Sequence, residues 1–392
     1  MGSRRSISTD RKEYLETINM AGLPIHTLMA RTGSFPLRVA CQLLGQFRHR
    51  QSSVIFDPFS GKGTSLLAAR MLGYDAYGMD IAPEAVVCSR AKLLHVSPAG
   101  VVDYIVNLRT NGPPIESVPA HVRVFFAPST LSQLLSVREQ LLHDMTSRNP
   151  TRQVNAQFVM AVLLGILHGH ASYSLSVSSS HAFSMSPAYV KRFAVTHGLR
   201  RPARDIKKCL VEKINRCLRC ELPTVKRFEV KQGSVLHCRS IFPELIGKVD
   251  TILTSPPYLN AQTYAKDNWL RLWFLGYDYK QLRPDYIETG SVTRYEEHML
   301  SAFKEMAVML KPGGRLICVA GDIRRRNSTG LSVFRTGSVL ADVCESAEIG
   351  LRVEQRERHV VRSTHRYFHA LSNSNGHHKR DLVERIFVAR KE

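Results

Sequence analysis

SSVIFDPFSGKGTSLLAARMLGYDAYGMD, residues 52–80, decides the fold. The apolar run SVIF breaks at Asp57-Pro58, as a buried strand does on meeting a turn. Gly61 and Gly63 follow. After them SLLAARML reads as a helix of strong helix formers closed by Gly73. YDAYGMD is a second strand ending at Asp80. PEAVVCSRAKLLH is a second helix with Pro83 at its first position, where a missing N–H costs nothing. Two strand–helix units in a row predict an α/β fold with a mostly parallel, doubly wound sheet.

Upstream lies RTGSFPLRVACQLLGQF, in which Leu37, Ala40, Cys41 and Leu44 follow helical spacing and Ser34 can cap the helix. Downstream the alternation stops. Residues 99–224 are mostly helical patterns: LSQLLSVREQLLHDM, VNAQFVMAVLLGILHG, PAYVKRFAVTHG and ARDIKKCLVEKINRCL, with the serine-rich loop SYSLSVSSSHAFSMS among them. Strands resume with RFEVKQGSV and VDTILTSPPY. A helix over Glu296–Met309, a turn and strand in KPGGRLICVAGD, and a last strand in IFVARK complete the chain. The organisation is therefore 1–98, the first part of a core; 99–224, a mainly helical insertion; and 225–392, the second part of that core.

The turn FDPFSGKGT sits between a strand and a helix. Glycines there let the backbone turn sharply and approach a ligand, and the N–H groups of a helix starting near Thr64 favour a carboxylate or phosphate. It is not a Walker loop, since Phe56 stands at the first glycine position and Gly63 follows Lys62. It is not a full dinucleotide loop either, since Leu66 replaces the last glycine. Asp80, at the end of the second strand, can accept both ribose hydroxyls of an adenosine cofactor; alternatively it caps the helix begun by Pro83.

Thr254-Ser255-Pro256-Pro257-Tyr258 ends an apolar strand. As plain structure, Pro-Pro simply stops a sheet ladder. As chemistry, the motif suits an exocyclic amino group, a poor nucleophile because its lone pair is delocalised into the ring. Acceptors on both N–H groups draw the nitrogen toward tetrahedral geometry. The Ser255 hydroxyl is one, and the Pro256 carbonyl, stiffened by Pro257, is the other. Tyr258 offers a face on which an extruded base can stack.

Together DPFSGKGT and TSPPY resemble the DNA amino-methyltransferases, which methylate cytosine N4 or adenine N6. The family's cofactor motif, D-P-F-x-G-x-G-T, is matched at Asp57, Pro58, Phe59, Gly61, Gly63 and Thr64, and its [DNS]-P-P-[YFW] motif at Ser255 to Tyr258. RTGSFP resembles the segment closing over the cofactor, with Phe35 as a contact. KPGGRL resembles the turn before the fifth strand. The resemblance implies a Rossmann-like class I methyltransferase core. It implies S-adenosylmethionine as cofactor, held also by Asp80, Ile81 and Ser234. It implies double-stranded DNA as partner, read by base flipping and direct in-line transfer, and it allows a cognate restriction endonuclease. Serine before the two prolines resembles the cytosine-N4 enzymes. Ser234 departs from the acidic residue usual after the third strand. The cofactor-first order also differs from many Ser-Pro-Pro enzymes, and it leaves 99–224 in the place of a target-recognition region. Adenine N6, an RNA amino group, and a DNA-binding regulator without catalysis stay open as alternatives.

Bulk properties agree with a polyanionic partner. The chain of 392 residues carries a formal net charge of +21, a surplus expected of nucleic-acid binders. Basic runs stand at Arg48-His49-Arg50, Arg200-Arg201 through Lys207-Lys208, and Arg324-Arg325-Arg326. No apolar run approaches the roughly 20 residues that span a bilayer. The polar start carries no export signal and fits a myristoylation pattern only loosely. A cytoplasmic location with reduced thiols is expected. Cys217-x-x-Cys220 reads as helix packing, and no metal is expected.

Overall fold

The computed structural model describes residues 23–31, 34–47, 49–50, 52–178, 184–259, 264–282, 286–287, 289–327, 330–345, 349–361 and 382–392. Strands β1 (Val54–Asp57), β2 (Asp75–Asp80), β3 (Phe228–Gln232), β4 (Val249–Thr254), β5 (Leu310–Gly321), β8 (Leu351–Val361) and β9 (Leu382–Lys391) form one sheet in the order β3-β2-β1-β4-β5-β9-β8. The pairs from β3 to β5 are parallel, and β9 runs antiparallel between β5 and β8. This is the Rossmann-like, doubly wound sheet expected. A separate hairpin, β6 (Ile323–Asn327) with β7 (Gly330–Phe334), and strand β8 were not legible in the sequence.

Period-2 alternation makes the strands two-sided. Ile55, Leu253, Ile317 and Val388 enter one apolar cluster. Their neighbours Phe56, Ile252, Leu316 and Phe387 enter another. Helices α1 (Leu37–Gly45), α2 (Thr64–Met71) and α3 (Pro83–Ala91) cover the first face. The insertion contributes α4 (Pro98–Val106), α5 (Pro128–Asp144), α6 (Pro150–Ile166), α7 (Pro187–Thr196) and α8 (Ile206–Cys217), and α4, α5, α6 and α8 add buried residues to the same cluster. On this side lies α9 (Trp269–Leu275); the other face is covered by α10 (Val292–Met309) and α11 (Thr336–Cys344).

Local chemistry sets the boundaries. Proline opens α3, α4, α5, α6 and α7. Side chains of Ser97, Asn149, Ser186, Asp205 and Ser291 accept from backbone N–H groups at the starts of α4, α6, α7, α8 and α10, each such cap being worth about 1 kcal/mol. Two expectations shift. The residue capping α1 is Pro36, without a side-chain bond, not Ser34, because Pro36 holds the extended φ and ψ that precede the helix. The KPGG turn lies inside β5. Leu310 pairs with Val249 and Arg315 with Thr251, so residues 311–314 bulge out, with Gly313 at φ 73°. Cys209 and Cys217 are buried on α8, while Cys220 is exposed. Among the described residues no helix is long and apolar enough to cross a membrane.

Candidate cofactor and catalytic cleft

The sheet order puts the C-terminal ends of β1, β2, β3 and β4 side by side, where ligands enter open α/β sheets. A cleft enclosing about 880 Å³ of space, part of it open to solvent, lies there. Phe35, Asp57, Pro58, Phe59, Gly61, Thr64, Asp80, Ile81, Ser234, Ser255 and Pro257 all line it. Both sequence motifs therefore face one cavity, although nearly 200 residues separate them.

Asp57 joins them. Its Oδ1 accepts from the Thr254 hydroxyl at 2.7 Å and from the Phe59 N–H at 3.1 Å. Burial pushes its carboxyl up to about 6, and those same bonds oppose the rise. Asp57 thus pins the loop to the strand that carries the catalytic motif.

The loop turns through two left-handed residues, Gly61 at φ 49° and Gly63 at φ 77°. Gly63 does not line the cleft. A Cβ there would stand 2.8 Å from the Cα and Cβ of Ser89, so this glycine lets α2 and α3 pack closely, not the backbone approach a ligand. Asp80 holds the loop from below: Oδ2 accepts from the Gly61 N–H at 2.7 Å and Oδ1 from the Ala82 N–H at 2.9 Å. The turn-capping and ligand-facing readings of this carboxylate are compatible, since each oxygen keeps a further lone pair. Ser234 lines the cleft while accepting from the Leu236 N–H at 3.4 Å.

Three serine or threonine hydroxyl oxygens of cleft-lining residues, Thr64 Oγ1, Ser65 Oγ and Ser255 Oγ, are buried without a hydrogen bond of good geometry among the described residues, although Ser65 stands close enough to Asp57, and Ser255 to Tyr258, to affect their titration. Such atoms are costly unless something satisfies them. Pro256 and Tyr258 do not line the cleft. The Tyr258 ring lies against Gly321, 3.5 Å from where a Cβ would be. The expected stacking face is therefore turned partly into the protein. Burial, with Glu384 adding to it, pushes the Tyr258 phenol up to about 12, against the opposing effect of the neighbouring Ser255 hydroxyl.

Several residues in and around the cleft were not among the site residues expected from the sequence. Arg31 lines the cleft, is buried, and pairs with the fully buried Glu84, with Asp80 4.0 Å away. Burial raises the Glu84 carboxyl and Arg31 counters it. Lys62 lines the cleft too, and burial, then Lys92, lowers its ammonium to about 7. From α10, His298 lines the catalytic end with its imidazole lowered by burial, and Tyr295 donates to the Pro257 carbonyl at 2.9 Å. Glu384 on β9 lies opposite Gly321 in register. It is buried, and burial pushes it up to about 7. Arg31 opens RTGSFP and Lys62 lies within the glycine loop; Glu84, Tyr295, His298 and Glu384 come from segments the motifs do not reach.

Of the basic runs, Arg48 and the side chains of Arg324, Arg325 and Arg326 lie outside the described residues. Arg200, Arg201 and Lys208 are exposed, and Lys207 donates to the Val106 carbonyl at 2.7 Å.

No protein-family profile matches the chain. It is 23% identical over 296 residues to the type II methyltransferase M.BsoBI of Geobacillus stearothermophilus, covering 66% of this chain. The chain spans about half, 54%, of the length of that relative. Among solved structures it is similar to TrmN from Thermus thermophilus, at 12% identity and a TM-score of 0.37, covering 95% of this chain and 53% of that one. It is also similar to the rRNA methyltransferase aviRa from Streptomyces viridochromogenes, at 12% identity and a TM-score of 0.30, covering 88% and 97%.

Proposed function

We propose that this protein is an S-adenosylmethionine-dependent methyltransferase acting on an exocyclic amino group in double-stranded DNA, with cytosine N4 favoured over adenine N6. The observation that carries the reading is the shared cleft. A glycine loop held by Asp80 and the Ser255 hydroxyl open onto the same space, linked through Asp57 and Thr254.

The cleft residues fit such a cofactor. Asp80 is placed to accept from ribose hydroxyls, and Phe35, Ile81 and Ser234 give it an apolar and polar lining. The orphaned Thr64 hydroxyl stands at the N-terminus of α2, where a carboxylate is favoured. When bound, the cofactor supplies an electrophilic methyl group on a sulfonium.

The chain's own residues hold the acceptor. Ser255 Oγ accepts from one amino N–H, which draws the nitrogen toward tetrahedral geometry; the Pro256 carbonyl, the second acceptor expected from the motif, does not line the cleft and reaches the amino group only if the turn shifts as the base enters. Tyr295 holds the adjoining Pro257 carbonyl. The Ser255 acceptor is preorganised: it costs no rearrangement as charge develops. The Ser255 type of motif resembles the cytosine-N4 enzymes, which is the ground for preferring that base.

Incubating the protein with DNA and with RNA, using methyl-labelled cofactor, then digesting to nucleosides for mass spectrometry, tests the reading. N4-methylcytosine in duplex DNA is expected. Label confined to RNA, or absent from both, would refute it.

A further inference from the structure

Helix α7 (Pro187–Thr196) is unlike the rest of the insertion. Only Val190 of its residues is buried, whereas α6 buries a long apolar face from Asn155 to Ile166. Helical spacing sets Ala188, Lys191, Arg192, Val195 and Thr196 on the side away from Val190. All five are exposed, and Val195 is 77% exposed. Five Lys or Arg residues and no acidic one fall between Pro187 and Arg204.

Folding does not account for this face. An isolated helix this short is marginal in water. The Ser186 cap, Val190, and the stacked ladder of Tyr189, Phe193 and His197 hold it. The rings stand 5.7 Å and then 4.1 Å apart, along the edge next to Val190, and they stiffen the helix without using its outer side. Arg201 and Arg204 donate to the carbonyls of Arg123 and Ser174, which fastens the segment after α7. Among the described residues, Lys191, Arg192 and Arg200 have no acidic partner.

The base of α7 is tied to the catalytic side of the molecule. The Ser184 N–H donates to the Asp267 carbonyl at 2.7 Å, and the Trp269 indole to the Met185 carbonyl at 3.0 Å. Both partners lie shortly downstream of Ser255–Tyr258 in the chain.

We propose that the outer face of α7 is the surface that engages duplex DNA. Lys191 and Arg192 flank Ala188 and Val195 in the major groove, and Arg200 lies on the backbone beyond the helix end. The inference rests on the proposed action on DNA and names the element that recognises it. A B-form major groove, about 12 Å wide, admits an α-helix. The deep, narrow major groove of A-form RNA does not, so DNA is the partner this face fits. Exposed small apolar groups between cations suit thymine methyls between phosphates.

The test compares two double variants of equal charge change, by fluorescence anisotropy on a labelled B-form duplex across a salt series. Lys191→Ala/Arg192→Ala removes charge from α7. Lys226→Ala/Lys248→Ala removes it from exposed residues beside the N-terminal ends of β3 and β4, the opposite edge of the sheet. The α7 variant is expected to lose at least tenfold in affinity at moderate salt. Its log–log salt slope should flatten by about 0.9 per lost phosphate contact. Cofactor affinity and melting temperature should stay unchanged, and the control should bind as wild type does. Equal losses in both variants, or none in the α7 variant, would overturn the assignment of α7 while DNA methylation by wild type still stood. Tighter binding of wild type to an RNA duplex would overturn it as well. A wild-type protein that neither binds nor methylates DNA would overturn the functional reading along with it.

Discussion

Thr254 donates to Asp57 across 2.7 Å, and with that one bond the last residue of β4 is fixed to the last residue of β1. The cofactor loop begins at the next residue after one, the catalytic motif at the next after the other. Their spacing therefore depends on a buried carboxylate held by a hydroxyl.

Thr254→Val keeps the shape and removes the donor. Losing a hydrogen bond to a buried charged group costs roughly 1.5–3 kcal/mol. The cost should depend on pH. Asp57 titrates near 6 in the folded protein, above its ordinary range. The native state thus binds its proton more tightly than the unfolded chain, and stability falls as pH rises toward that value. Without Thr254 the folded value should climb further, so the variant should lose more above it than below. Urea unfolding on either side of pH 6 reads this; a pH-independent loss would show that the bond does not hold a charged carboxylate.

Asp80→Ala should weaken S-adenosylmethionine binding by at least tenfold in calorimetric titration. It removes the acceptor proposed for the ribose and frees the Gly61 N–H. Each charge-assisted bond is worth roughly 1.5–3 kcal/mol. Unchanged affinity in a folded variant would move the cofactor elsewhere.

Ser255→Ala and Tyr295→Phe should slow methyl transfer more than they weaken DNA binding. The first removes an acceptor used in the transition state; the second releases the Pro257 carbonyl. Interactions that tighten only in the transition state appear in the rate. Single-turnover assays at saturating cofactor should show a larger fall for Ser255→Ala. A wild-type rate in that variant would rule out amino-group activation by this motif.

Glu384→Gln should flatten the stability profile on the acid side of neutral pH. Burial pushes Glu384 up to about 7, so the folded protein loses stability as pH rises from the ordinary glutamate range to that value, above which the loss is complete. Glutamine cannot ionise. Wild type should be less stable than the variant above pH 7, with the gap closing below it, as read from urea midpoints. A gap of constant size would mean that Glu384 does not titrate there.

What the sequence alone determined is what neighbours along the chain decide. Residues 52–80 announce two strands and a helix because alternation, proline placement and glycine turns act over a few residues. DPFSGKGT and TSPPY were legible for the same reason, and so was the helical character of 99–224. The sequence did not show that Gly63 serves the packing of α2 on α3, because Ser89 reaches it from another helix. Nor did it show that Tyr258 leans on Gly321. Arg31, the pair Tyr295 and His298 on α10, and Glu384 come from three separate segments with no shared pattern. The sheet order brings strand ends and flanking helices to one edge, and burial then sets their charges. Those effects depend on contacts between residues from tens to almost two hundred positions apart, and only the tertiary structure decided them.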